Sequence, residues 1–143
     1  MMRKALLRHY LKINLPGIFA FIVLYIMGKF NVDIFLPLNQ GWIPVVVMIA
    51  TALFAVVLPL WYRIFFVNKI KGEEHTDEQR FMRFEKHFLT IASISVYILI
   101  AGYLLALPRI TLSVMVLFVL YALYFYFPSE KRIRSEMNIF KVN

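Results

Sequence analysis

Residues 41–62 form a run of 22 without a charged side chain, and a run of that length and character suits a helix through a lipid bilayer. No water reaches the hydrocarbon core to hydrogen-bond free amides, so a spanning segment must satisfy its backbone internally, as a helix does. Trp42 and Trp61 lie near the two ends of the run, with Tyr62 beside the second. From Trp42 to Trp61 is 19 residues, about 28 Å of helix at ~1.5 Å per residue and close to the ~30 Å hydrocarbon thickness. Both rings then anchor in headgroup layers.

Three more runs obey the same logic. Residues 13–28 carry no charge, residues 88–107 end at Pro108, and residues 110–127 end at Pro128. With 62% hydrophobic and 17% charged residues, the chain is far more apolar than a soluble domain, which has roughly 45–50% apolar and 25% charged residues. The sequence therefore predicts an all-α integral membrane protein with four transmembrane helices near 14–34, 41–62, 88–107 and 110–127, forming a single four-helix domain over 1–143. Only Pro108 and Arg109 separate the last two spans, which makes them antiparallel neighbours. Pro59 is expected to kink the second span, and Pro16 with Gly17 is tolerated at the start of the first.

The basic residues select a side. Arg3, Lys4, Arg8 and Lys12 precede the first span, Arg63, Lys69, Lys71, Arg80, Arg83 and Lys86 lie between the second and third, and Lys131, Arg132, Arg134 and Lys141 follow the fourth. Of 16 basic residues only Lys29 and Arg109 fall on the other side, so the positive-inside rule predicts an N-in, C-in protein with its central loop in the cytoplasm. The compact design and this bias point to the bacterial cytoplasmic (inner) membrane. The net charge of +8 is read as topology; it implies no nucleic-acid partner, because the cations all sit close to membrane ends. No small-x-small cleavage site follows the first apolar run, so that run is an uncleaved span. Its continuation to Ile34 sets Lys29 and Asp33 one turn apart, where the lysine snorkels to the interface and pairs with the aspartate.

Amphipathic juxtamembrane helices are expected at 2–12, 77–87 and 130–140. Leu6, Leu7, Tyr10 and Leu11 line the first; Phe81, Phe84 and Phe88 recur at helical spacing in the second; Ile133, Met137 and Phe140 do so in the third. Thr76-Asp77-Glu78-Gln79 has the capping-box pattern, and Ser129 can cap the last helix. Such basic, amphipathic pieces bind anionic lipid headgroups or a partner protein. Arg80, Arg83, His87, Lys131, Arg132 and Arg134 are the candidate docking residues.

No Asp, Glu, Lys, Arg or His interrupts the spans apart from Lys29 and Asp33 near one end of the first, which argues against an ion-coupled carrier. His9, His75 and His87 lie outside the spans or at an edge and far apart, unsuited to haem or zinc, and cysteine is absent. No nucleophile elbow or phosphate-cradling glycine loop is present. Arg80, Arg83, Glu85 and His87 are the one constellation that could meet a phosphate headgroup with an acid/base at hand.

Small residues point to close helix packing at Thr51 with Ala55, and at Gly102 with Ala106 and Ser95. Thr90, Ser93, Ser95 and Tyr97 are placed to hydrogen-bond between helices. The aromatic cluster from Tyr121 to Phe127 reads as an interfacial belt, or as a groove for a quinone or lipid tail. The sequence thus favours a non-enzymatic accessory or assembly subunit of a larger membrane complex, without cofactor, whose partners are membrane lipids and other subunits or copies of itself. A small homo-oligomeric transporter or lipid-handling protein is the alternative.

Overall fold

A computed structural model describes residues 1–31 and 41–142. Among these residues the architecture is all-helical: α1 (Met2–Lys29), α2 (Ile43–Ile70), α3 (Glu78–Leu104), α4 (Arg109–Phe125) and α5 (Glu130–Ile139). α1, α2 and α3 are each long and apolar enough to cross a membrane. α4 meets that test only together with α5, from which it is bent by 73°. Its 17 residues make about 25 Å of helix at ~1.5 Å per residue, at the short end for a span.

α1 is one continuous helix where the sequence suggests an amphipathic piece followed by a span. Nothing between Lys12 and Ile13 breaks the helix, and Pro16 is accommodated inside it. It ends at Lys29, short of the expected extension, because Asn31 takes a left-handed conformation with φ 55°. Lys29 there sits over the Tyr25 ring at 5.2 Å. Asp33 and Ile34, on which the expected extension and ion pair depend, lie outside the described residues.

The disturbance in α2 precedes Pro59 by a turn. Proline has no N–H to return to the carbonyl four residues back and its ring crowds that carbonyl; here residues Leu53–Val57 widen into a π-helical turn. The Leu58 N–H bonds to the Leu53 carbonyl across that turn. The wide turn packs against α3 with Ala55 fully buried.

α3 is the hub, with α1, α2 and α4 all packed against it. Phe88, near its start, meets Tyr126 at the end of α4 edge-on at 4.8 Å, while Gly102, near its end, faces Met115. The two helices are therefore antiparallel. α1 is tied on by the Tyr97 hydroxyl, which donates to the Ile13 carbonyl at 2.6 Å, and by His9 and Thr90 at 3.1 Å. Tyr10 reaches across to donate to the Leu123 carbonyl at 2.8 Å.

These contacts gather the start of α1, the end of α2, the start of α3, the end of α4 and all of α5 at one end of the bundle. A ring cluster fills it: Phe84 stacks on Phe66 at 4.1 Å, and Phe140 lies 5.3 to 5.8 Å from Phe66, Phe81 and Phe84. The stripe expected to lie in lipid along 130–140 thus turns inward, with Ile133 and Phe140 buried. A protein face and a lipid face make the same apolar demand on a helix, and the kink at Pro128 turns α5 back over the bundle end. Ser129 caps α5 through its side chain, accepting from the Arg132 amide at 3.2 Å. The capping box at Thr76 does not form. Asp77 is the N-cap and makes no side-chain cap bond, while Thr76 is buried and its amide donates to the Lys141 carbonyl at 3.0 Å in an isolated bridge.

Candidate functional site

Two charged arrangements occupy the basic end, one closed and one open. The closed one begins with Glu85. Helical spacing puts it on the buried face of α3 with Phe81, Phe84 and Phe88, and its side chain is 1% exposed. Arg132 of α5 donates to Glu85 through Nη2 and is itself 16% exposed, its guanidinium 5.7 Å from the centre of the Phe88 ring. Beside this pair Arg63 of α2 meets Glu136 of α5 at 3.2 Å. Glu85 lies three residues before the uncharged run of α3. Burial pushes its carboxyl above the usual carboxylate range, and Arg132 opposes that shift. Arg132 Nε and Glu136 Oε2 are buried without a hydrogen-bond partner. The two pairs clasp α5 to α2 and α3.

The open arrangement is a groove of about 450 Å³ between the end of α2 and the start of α3. Tyr62, Phe65, Phe66 and Phe84 give it aromatic walls; Lys69, Arg80, Arg83 and His87 supply polar groups. The walls are mutually braced, Tyr62 stacking on Phe84 at 5.4 Å with an interplanar angle of 13°. Arg80 is committed to Glu73, bonding both carboxylate oxygens at 2.8 Å. His87 Nδ1 donates to the Arg83 carbonyl at 2.8 Å, which leaves Nε2 as its open ring nitrogen.

The six docking candidates therefore separate. Arg80, Arg83 and His87 share the groove, joined by Lys69, which the sequence reading did not single out. Its signal was present: Lys69 follows Tyr62 by seven residues, two helical turns along one face. Lys131 and Arg134 lie on the outside of α5, where Arg134 pairs with Glu130 at 2.9 Å. Arg132 turns inward to the buried Glu85 and keeps only part of its side chain at the surface, 16% exposed. Glu85 likewise leaves the supposed phosphate constellation, facing Arg132 while Arg80, Arg83 and His87 line the groove. A lone acid among phenylalanines at helical spacing was the clue.

Among the packing candidates, Thr51, Ala55 and Ser95 are fully buried. A Cβ on Gly102 would come within 2.7 Å of the Met115 methyl, so α4 approaches closely there. Ala106 is not on a helix face. α3 has ended at Leu104, and Ala106 takes φ 52° in a closing turn where the Leu107 amide reaches the Gly102 carbonyl at 3.4 Å. Of the hydroxyls expected to bond between helices, Ser93 and Ser95 donate within α3, to the carbonyls of Leu89 at 2.7 Å and Ala92 at 2.6 Å. Those carbonyls are the nearest acceptors in an apolar surround. Sequence reasoning also missed Gly17, where an added Cβ would lie 2.9 Å from Val96, and Asn14, buried with Oδ1 unpartnered.

No group of three or more metal-ligating side chains occurs among the described residues. Comparison with models of protein families, with curated proteins and with solved structures finds no match to this chain.

Proposed function

We propose that the chain is a non-enzymatic, four-span protein of the bacterial inner membrane, with both termini and the basic end cytoplasmic, serving as an accessory or assembly subunit of a larger membrane complex. The observation that carries this reading is the outer face of α1. This helix packs chiefly against α3, and Leu15, Phe19, Ile22 and Ile26 stand exposed along it, Phe19 at 71%. Their spacing of four, three and four residues is that of a knobs-into-holes seam, the form in which one membrane helix meets another. The reading assigns that seam to a helix of another subunit and the surrounding cations to anionic headgroups.

The test is purification of the tagged protein from its own host membranes in mild detergent, followed by native mass spectrometry. Stoichiometric association with other membrane proteins is expected, and Leu15→Ala, Phe19→Ala and Ile22→Ala together should release them while the chain remains membrane-bound and helical. Partner-free protein that moves a solute or lipid across liposomes would overturn the reading. A second reading, a lipid-handling homo-oligomer, draws on the open trough of about 580 Å³ that runs from Leu120, Leu123, Tyr124, Phe125 and Phe127 to Ser129 and Arg132. A homo-oligomeric mass with retained lipid would favour it.

A further inference from the structure

We infer that the groove between α2 and α3 seats one anionic phospholipid, its phosphate against Lys69 and Arg83 and its glycerol backbone against Tyr62 and Phe65. The inference rests on the membrane reading of the apolar helices and is independent of the subunit reading.

Charge is the first argument. Arg80 is neutralised by Glu73, whereas neither Lys69 nor Arg83 has an ion-pair partner among the described residues. Two cations share one concavity without a counter-charge, which suits a phosphate. Depth is the second. Tyr62 is the last residue of the uncharged run of α2, and the uncharged run of α3 starts at Phe88, directly after His87. The groove therefore lies at the level where hydrocarbon gives way to headgroups, and its walls change from rings to cations over that interval. A soluble anion has no use for the apolar half, but a phospholipid carries both. Form is the third. The stacked Tyr62, Phe84 and Phe66 rings hold the floor in place before any ligand arrives, and about 450 Å³ lies within the roughly 300–1,000 Å³ typical of ligand sites. His87 Nε2, left open by the bond from Nδ1, is available to a headgroup hydroxyl.

The experiment is native mass spectrometry of the delipidated full-length protein in detergent, titrated with phosphatidylglycerol or phosphatidylcholine. One phosphatidylglycerol is expected to bind ahead of any further lipid, with phosphatidylcholine much weaker. Lys69→Gln with Arg83→Gln should weaken that first site about 30-fold, from the usual contribution of two cations near a headgroup. The double variant Lys69→Arg, Arg83→Lys should keep it. Lys4→Gln with Lys131→Gln, an equal charge loss elsewhere on the same end, should leave it unchanged. Far-ultraviolet circular dichroism checks that each variant is folded. Equal binding of the two lipids would overturn the inference, as would an equal loss in the Lys4/Lys131 control, which means diffuse attraction only. Displacement of the lipid by inorganic phosphate at matched concentration would mark a soluble-anion site. A co-purifying acidic protein released by the Lys69/Arg83 variant would mark a protein interface.

Discussion

Arg132→Met tests the clasp at the basic end. It removes the partner of Glu85, which is 1% exposed, and leaves a buried carboxyl among Phe81, Phe84 and Phe88 without its counter-charge. Breaking a buried ion pair from one side costs about 3–5 kcal/mol. The pair itself is worth far less, since Arg132 Nε is already unsatisfied and desolvation of both charges offsets most of their attraction. Three consequences follow for a double-mutant cycle. Arg132→Met alone should lose about 3–5 kcal/mol. Glu85→Leu alone should lose less, because Arg132 is 16% exposed and its long side chain can turn to solvent. The double variant Glu85→Leu, Arg132→Met should lie near wild type, giving a coupling of about 2 kcal/mol or more. The assay is reversible unfolding in mixed micelles, followed by tryptophan fluorescence and circular dichroism. Arg134→Met, which removes the exposed partner of Glu130, is the control and should cost under about 1 kcal/mol. An Arg132→Met loss no larger than that control, or additive single effects, would refute the reasoning.

Other substitutions separate the packing arguments by the same assay. Gly17→Ala should cost about 1–3 kcal/mol, because its Cβ would meet the stiff Val96 side chain at 2.9 Å. Gly102→Ala should cost less despite a nearer atom, since that atom is the Met115 methyl at 2.7 Å, and methionine repacks readily. Equal losses at the two positions would contradict this. Ala106→Gly should stabilise by up to about 1 kcal/mol, as glycine relieves the left-handed backbone at φ 52°; a destabilised variant would mean the turn is held by its side chain.

Elements encoded by local pattern were legible before the structure. The uncharged runs announce helices because twenty apolar residues in a row make the same demand wherever they occur, and the Phe81, Phe84, Phe88 stripe and the Ser129 cap depend on residues within a turn or two. The clasp was not legible, because Arg132 is 47 residues from Glu85 and nothing near either one names the other. Thr76 shows the same limit. Its neighbours spell a capping box, but a distant carbonyl at Lys141 captures its amide instead. Two of the groove's cations, Arg80 and Arg83, and His87 were visible as one stripe of α3, while the contribution of Lys69 depends on how α2 lies against that stripe. Ala106 was misplaced for a local reason: small-residue spacing was counted through the point where α3 stops.

A basic end gathered on the cytoplasmic side and a fourth crossing by α4 can both be tested in one experiment, because the chain has no native cysteine. Single cysteines at Glu74, Ile110 and Ser135, all on exposed positions, are labelled in intact cells with a membrane-impermeant maleimide and again after lysis. Four spans with the basic end inside predict labelling of Ile110→Cys from outside, with Glu74→Cys and Ser135→Cys labelled only after lysis. Outside labelling of Glu74→Cys would contradict the orientation, and outside labelling of Ser135→Cys together with Ile110→Cys would show that α4 does not cross.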